Sequence, residues 1–207
     1  YLALSMFWNA WFDPKVSYES EVIIDSNRGK GIDDYYKRLL QSFQEMRRVI
    51  RSNGKLIVTF NNRHMKYWKP LIQAIYVAGF DLLRVDWIDQ AVRSGTQGIN
   101  HQNTLHGDFV YTYEPTNPRK THPKSTNGSE VVRNTIFKLF EKKSLVSSAE
   151  LYIELIPTLV EFMSFADSEG KDLDIDKEVS KYCFYEKQNA LSEGLSGWML
   201  KENFEDN

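Results

Sequence analysis

The chain has 207 residues, and its 26 Lys and Arg residues nearly balance its 28 Asp and Glu residues, giving a formal net charge of −2. This balance excludes a strongly basic stand-alone nucleic-acid-binding module, which needs an overall positive field. Cys183 is the only cysteine, which excludes an intramolecular disulfide and a thiolate zinc site. No apolar run approaches the ~20 residues of a membrane span. The composition predicts a cytoplasmic globular protein without a membrane partner.

The first elements in the chain are predicted to be helices. Residues 2–11, LALSMFWNAW, are apolar on nearly every face, which predicts a helix that is buried on several sides. Apolar residues recur at helical spacing over residues 36–50, behind Asp33 and Asp34, which suit an N-cap and a first turn. Gly54 follows an asparagine and predicts a left-handed cap at the end of this second helix.

Strands and helices then alternate. KLIVTF, at residues 55–60, is a β-branched apolar run and predicts a strand covered on both faces. A helix over residues 66–78 and strands over residues 80–88 and 108–113 follow. This order predicts the closing half of an open, mostly parallel α/β sheet, with the last strand antiparallel because no helix precedes it.

The composition changes in the second half. PTNPRKTHPKSTNG is rich in Pro, Asn, Ser and Lys, which is typical of a linker. Amphipathic helices follow, and then a stretch with room for a short hairpin ending in GWML. The chain is therefore divided into an α/β part at residues 1–114, a linker at residues 115–129 and a small, mainly helical domain at residues 130–207.

Two segments of the first half resemble a known family: YYKRLLQSFQEMRRVIRSNGKLIVTFNNRHMKYWKPLIQAIYVAGF and GINHQNTLHGDFVYTYEP. Their order is similar to that of adenine-specific DNA methyltransferases. There, a helix ending in RVL-x-x-G-G leads into an LV-x-TF strand, and a Trp-containing helix ending in AGF follows. A further strand, a loop rich in Ser, Gly and Asn, and a GDFV strand complete the pattern.

This resemblance implies the C-terminal half of a class I, Rossmann-like doubly wound methyltransferase fold. It also implies transfer of a methyl group from S-adenosylmethionine to an exocyclic amino group of a DNA base. N6 of adenine is the expected target, and N4 of cytosine uses the same geometry. DNA is the implied partner, restriction–modification is one biological setting, and a partner subunit or self-association is a further expectation.

The family's catalytic motif, Asp-Pro-Pro-Tyr or a near relative, is missing from the sequence. Asp13-Pro14 is not followed by Pro and Tyr. Gly29 and Gly31 neither follow a predicted strand nor open a predicted helix in the manner of a cofactor loop. The resemblance therefore places the catalytic motif just upstream of Tyr1 and the cofactor contacts mainly in upstream residues, so that this chain alone is expected to be inactive and to hold no catalytic residue.

Two other classes of function stay open. One is a methyltransferase-like scaffold that binds DNA or a partner subunit without chemistry, which the missing motifs favour. The other is an enzyme that methylates RNA or protein, with the helical part as its recognition module.

The residues directly after the KLIVTF strand are the first candidates for substrate contact: Asn61, Asn62, Arg63 and His64. Ligands of doubly wound folds bind outside the carboxyl ends of the strands, so these side chains are expected to face a base edge or a phosphate. The alternative is that the asparagines cap the next helix.

A polar loop, SGTQGINHQNTLH, supplies Ser94, Gln97 and Asn100 as further candidates for DNA contact. Arg119 and Lys120 in the linker are candidates for phosphate contacts. Trp68 is predicted to belong to the core rather than to stack on a base. No spacing of His, Cys and carboxylates predicts a metal site.

Overall fold

The computed structural model describes residues 19, 21–62, 64–89, 107–122, 126–186 and 197–202. The helix predicted over residues 2–11 lies outside these residues. The described residues form a mixed α/β structure with a small antiparallel sheet and five α-helices. None of these helices is both long and apolar enough to cross a membrane.

The α/β part contains two helices and three strands. In chain order they are α1 (Ile32–Val49), β1 (Leu56–Phe60), α2 (Met65–Ala78), β2 (Phe80–Asp89) and β3 (Gly107–Pro115). The following part is mainly helical, as predicted. It contains α3 (Gly128–Phe140), α4 (Ser148–Glu161), α5 (Ile175–Tyr182), β4 (Cys183–Glu186) and β5 (Gly197–Leu200).

The three-stranded sheet has the order β1-β3-β2, and β3 is antiparallel to both neighbours. The prediction that the last strand is antiparallel is confirmed. The prediction of a mostly parallel sheet is not confirmed by these strands, because every hydrogen-bonded pair among them is antiparallel. The reason is geometric: β1 and β2 run in the same direction, but β3 lies between them, so the two parallel strands do not touch.

Helix α1 differs from its prediction at both ends. Its N-cap is Gly31, and Asp33 and Asp34 lie in the first turn rather than at the cap. Gly31 thus opens a helix, which the sequence did not indicate. The helix ends at Val49, and the predicted left-handed cap at Gly54 is wrong, because the chain turns away in an extended conformation at Ile50.

Strand β1 is buried on one face only, so the prediction of a strand covered on both faces is wrong. Its alternate residue Ile57 is 63% exposed, while Leu56 and Val58 pack against the core. Helices α1 and α2 contact one another, and the buried side chains of β3, Phe109, Tyr111 and Tyr113, belong to the same core as α2. The apolar run reflects β-propensity on an open face rather than burial on both sides.

Helix α2 is the most buried element of the α/β part. Nine of its fourteen residues are buried, and Trp68 is completely inaccessible. The helix ends, as predicted, at Gly79, which has a left-handed φ of 95°. A Cβ at this position would lie 2.8 Å from the carbonyl oxygen of Thr116, so the close approach of the chain after β3 also requires glycine.

The segment after β3 is bonded to the α/β part. The backbone N–H of Thr116 donates to the carbonyl of Gly79, and that of Arg119 donates to the carbonyl of Val77. One continuous hydrophobic core extends from the α/β part into the helical part, where Leu155 and Trp198 are among its members. The described beginning of the linker is thus attached to the fold, and the domain boundaries stay a prediction.

Helix α4 begins with a capping box. The hydroxyl of Ser147 accepts from the backbone N–H of Glu150, and the Glu150 carboxylate accepts from the backbone N–H of Ser147. Lys143 donates to the same carboxylate at 2.5 Å. Bonding to Lys143 and Ser147 holds the pKa of Glu150 at about 2, below its ordinary value of 4.5.

We expect Glu150→Gln to reduce the thermal stability of the protein most strongly above pH 4.5. A carboxylate whose pKa is depressed on folding contributes stability above its ordinary pKa and loses that contribution as the pH falls through the folded value. The difference in Tm between wild type and Glu150→Gln, followed by circular dichroism, should therefore shrink between about pH 4.5 and pH 2. Glu154→Gln, one turn further along the helix and exposed, serves as the control. A difference that does not change with pH would contradict this account.

Candidate nucleic-acid interface

The predicted substrate-contacting turn lies at one end of the strands of the sheet. Strand β1 ends at Phe60, strand β2 ends at Asp89 and strand β3 begins at Gly107, and the register pairs Asp89 with Gly107 and Phe60 with Phe109. The end of β1, the end of β2 and the start of β3 therefore lie side by side at the same end of the sheet. The described residues after β1 are brought together here with Asp89 and Gly107, the strand residues that flank the segment containing the polar loop, as expected for a cleft outside the strand ends.

Gly107 is required at this end of the sheet by the close approach of the neighbouring strand. A Cβ on Gly107 would overlap the carbonyl oxygen of Ile88 and the indole ring of Trp87. The indole N–H of Trp87 donates to the Asp89 carboxylate at 2.5 Å, next to this contact. Asp89 and Gly107, the described residues on either side of the segment that contains the polar loop, are thus held together on the sheet.

The two asparagines of the turn bond within the chain. The side-chain amide of Asn61 donates to the carbonyl of Gly107 at 2.6 Å, which ties the end of β1 to the start of β3. The side-chain oxygen of Asn62 accepts from the backbone N–H of His64 at 2.9 Å, as in an Asx turn. The Asn62 side chain therefore bonds the backbone at the start of α2, as the alternative capping interpretation expects. DNA contact by either asparagine stays a prediction.

Among the described residues of the turn, His64 is the exposed one. It is the N-cap residue of α2, makes no side-chain capping bond, and lies at the edge of the Tyr67 ring, with 6.3 Å between ring centroids. His64 also lines a cavity of about 370 Å³ together with Lys66 and residues of the helical part. A side chain in this position can donate to a phosphate or to a base.

The opposite wall of this cavity carries more acidic than basic side chains. Asp172, Asp174 and Asp176 line it together with Lys177. Lys69 pairs with Asp172 at 3.5 Å. In the part of the chain that the structure describes, no group of three or more His, Cys, Asp or Glu side chains is arranged to hold a metal ion. These aspartates would repel a phosphate that approached the α5 side, so an anion is accepted best on the side of His64 and Lys66.

Arg119 and Lys120, the linker residues predicted to contact phosphates, lie away from this turn, at the opposite end of the strands. The guanidinium of Arg119 pairs with Asp81 at 2.5 Å, donates to the carbonyl of Tyr76 at 2.9 Å and stacks 3.9 Å from the centroid of the Tyr76 ring. Lys120 is exposed beside it. The structure therefore does not bring Arg119 and Lys120 together with Asn61 and His64, and their contact with DNA stays a prediction.

Of the other residues that the sequence analysis discusses, some lie outside the described part of the chain and others are core residues. Arg63, Ser94, Gln97 and Asn100 lie outside the described residues. Trp68 is a core residue, as predicted. Its indole N–H donates to the carbonyl of Asn62 at 2.6 Å. Cys183 is also buried, and burial raises the pKa of its thiol to about 11, so it is unreactive at neutral pH.

Sequence reasoning missed one structural role, that of Arg47. Its guanidinium donates to the carbonyl of Thr116 at 2.7 Å and so fixes the chain after β3. Arg47 and Thr116 are 69 residues apart in the sequence, and no local sequence pattern predicts such a contact. Long-range bonds from cations to carbonyls are the part of this site that one sequence does not reveal.

The comparisons with known proteins add nothing to this geometry: no protein-family model matches the chain, and neither the curated proteins nor the solved structures gave a match.

We expect Asn61→Ala to lower the free energy of unfolding by about 1 kcal/mol, because the Gly107 carbonyl loses its partner at the edge of the sheet. Urea unfolding followed by tryptophan fluorescence measures this change. Asn53→Ala is the matched control, because Asn53 lies exposed in the turn after α1. Equal midpoints for Asn61→Ala and wild type would show that the amide does not hold the two strands together.

Proposed function

We propose that the chain is the C-terminal part of an S-adenosylmethionine-dependent DNA methyltransferase that modifies an exocyclic amino group, with N6 of adenine as its target. The proposal includes a Rossmann-like methyltransferase sheet that continues beyond β1 in residues upstream. It assigns this chain one wall of the substrate cleft and assigns methyl transfer to the larger protein.

One observation carries the proposal: β1 and β2 run in the same direction and are joined by α2, while β3 enters last and antiparallel between them. The sequence predicted the antiparallel direction of this last strand, but not its position between the other two. In the described residues β1 is an edge strand, so its free side is available for a further parallel strand. The motifs KLIVTF, AGF and GDFV, on which the resemblance rests, lie on β1, at the junction of α2 and β2, and on β3.

The described residues do not fit the cofactor. S-adenosylmethionine in this fold class needs a glycine-rich turn between a strand and a helix. Gly31 opens α1, but among the described residues the segment before it is a short 3-10 turn, Ser26–Arg28, and not a strand. We therefore assign the cofactor contacts to residues outside the described ones and derive no catalytic step from this chain.

What the chain contributes is the placement of substrate. Asn61, Asn62 and His64 lie with Asp89 and Gly107 at the end of the sheet where the cleft is expected. The bond from Asn61 to Gly107 holds these two segments together. His64 and Lys66 supply donors on that side, and a base rotated out of the duplex would approach them from the solvent.

A non-catalytic scaffold is the second candidate, and the hydrogen bonds of the site favour it. The side chains of Asn61, Asn62 and Arg119 are all bonded within the chain, which leaves fewer groups for substrate. The aspartates opposite His64 would suit contact with a partner subunit better than contact with DNA. Cofactor binding by a longer form of the protein separates the two candidates.

The deciding experiment is isothermal titration of S-adenosylmethionine into the 207-residue chain and into a form extended upstream of Tyr1. We expect binding by the extended form alone, followed by transfer of labelled methyl groups to duplex DNA. Label in RNA or in protein would replace DNA as the substrate. Tight binding by the shorter chain would contradict the assignment of the cofactor site, and no binding by either form would favour the scaffold.

We also expect His64→Ala in the extended form to weaken binding to duplex DNA by roughly threefold to tenfold, the contribution of one hydrogen bond. Fluorescence anisotropy at fixed low salt measures the affinity. Lys55→Ala is the control, because Lys55 precedes β1 at the opposite end of the sheet and pairs there with Glu114 at 3.3 Å. If Lys55→Ala weakens binding and His64→Ala does not, the DNA lies at the other end.

A further inference from the structure

Strand β2 has a free hydrogen-bonding side. In the order β1-β3-β2 it pairs with β3 and has no strand beyond it among the described residues. Within the same part of the chain, no backbone group from Leu82 to Asp89 bonds to any element except β3. An edge strand of this kind presents a row of unpaired N–H and C=O groups to another chain. We refer to this side of residues 82–89 as the β2 edge.

A groove of about 520 Å³ follows the first half of the β2 edge. Six consecutive residues of the strand line it, 80–85, whereas a strand that lined a cavity with one face would contribute alternate residues only. The groove therefore borders the edge of the strand. Helix α4 forms the facing wall through Pro157, Val160 and Glu161, which share one face of the helix. The space beside β2 is thus open to a further strand.

Apolar side chains along the β2 edge are incompletely covered. Leu83 bulges at the register shift between Leu82 and Arg84 and is 46% exposed, and Ile88 is 57% exposed. Val85 and Trp87 lie on the face of β2 that packs against the core, and both are only partly buried. Exposed apolar side chains beside unpaired backbone groups are typical of a surface that another strand covers.

The charges of the β2 edge are complementary to themselves. Arg84 and Asp86 lie on the outer face of the sheet, 3.0 Å apart, with 70% and 45% of their side chains exposed. If two copies of β2 pair antiparallel about a two-fold axis at Val85, Arg84 of each copy lies opposite Asp86 of the other. A shift of two residues brings like charges together, and a shift of one residue turns the side chains to the wrong face. The charges therefore select one register and exclude its neighbours.

We propose that the chain forms a two-fold symmetric dimer through the β2 edge, in which two three-stranded sheets join into one sheet of six strands. Val85 then pairs with Val85 of the second copy. Because the bulge at Leu83 takes up one residue, Leu82 comes opposite Trp87 of the second copy. These side chains lie on the core-facing side of the strand, where α4 also packs, so the second copy's strand occupies the groove with apolar side chains. The dimer does not depend on the methyltransferase assignment.

The other charged groups along the groove are compatible with this pairing. Asp81 is already paired with Arg119 at 2.5 Å. Asp89 of the second copy comes opposite Phe80, whose carbonyl lies 3.4 Å from the Arg119 guanidinium, so a cation is close to the incoming carboxylate. Glu161 is exposed at the end of α4 and keeps its contact with water.

Sedimentation velocity of the full 207-residue chain over a range of concentrations measures the dimer. We expect a reversible equilibrium between monomer and dimer for the wild type. Arg84→Asp and Asp86→Arg should each weaken the dimer roughly tenfold or more, because like charges then oppose each other twice across the axis. Lys55→Glu is the control, because Lys55 precedes the other edge strand and also belongs to an exposed ion pair, with Glu114. It should leave the dimer unchanged.

Mixing the two variants is the decisive step. In a mixture of Arg84→Asp and Asp86→Arg, opposite charges face each other again across the axis, so a heterodimer of wild-type affinity should form. Each variant has lost its own ion pair, so this recovery arises only between chains, and circular dichroism shows that both variants are folded. A wild type that stays monomeric at every concentration, or a mixture in which dimerisation is not restored, would overturn the proposal. Loss of the dimer in Lys55→Glu alone would place the interface on β1.

Discussion

The indole of Trp68 is the constraint on which the α/β part depends. It is fully buried, its ring lies edge-on to Phe60 at 4.6 Å and to Tyr111 at 5.5 Å, and its N–H bonds the carbonyl of Asn62. One side chain thus fixes the end of β1, the start of α2 and the centre of β3. The indole also bonds the candidate turn through the Asn62 carbonyl, so the position of the turn depends on the packing of Trp68.

The arrangement of the sheet follows from how β3 enters. Because β3 is antiparallel to both neighbours, the ends of β1 and β2 meet the start of β3 at one end of the sheet, and the start of β2 meets the end of β3 at the other. The first end carries the polar turn, and the second carries the ion pair between Asp81 and Arg119. The helical part reaches both ends, through Asp172 at the first and Val160 at the second. Two chemically different surfaces are thereby separated by the length of one strand.

The sequence predicts the elements of this fold well wherever the signal is local. Helix α2 and its end at Gly79 follow from periodicity and from a glycine with a positive φ, and the antiparallel β3 follows from the lack of a preceding helix. The exposure of Ile57 was not predictable, because a β-branched run reads the same whether one face is covered or two. The roles of Asn61 and Arg119 were equally hidden, since each bonds a carbonyl more than thirty residues away. A single sequence does not show which distant residues become hydrogen-bond partners in the folded chain.

The attachment of Arg119 has a mechanical consequence. Its guanidinium holds Asp81 and the carbonyl of Tyr76 while its backbone holds Val77, so the chain after β3 is tied across the end of α2 and the start of β2. A force applied to the helical part would therefore be transmitted to the sheet through these bonds and would not first extend the segment between the two parts. A segment whose composition is typical of a flexible linker is therefore fixed to the sheet at its start, and relative motion of the two parts requires the bonds of the half-buried Arg119 guanidinium to break.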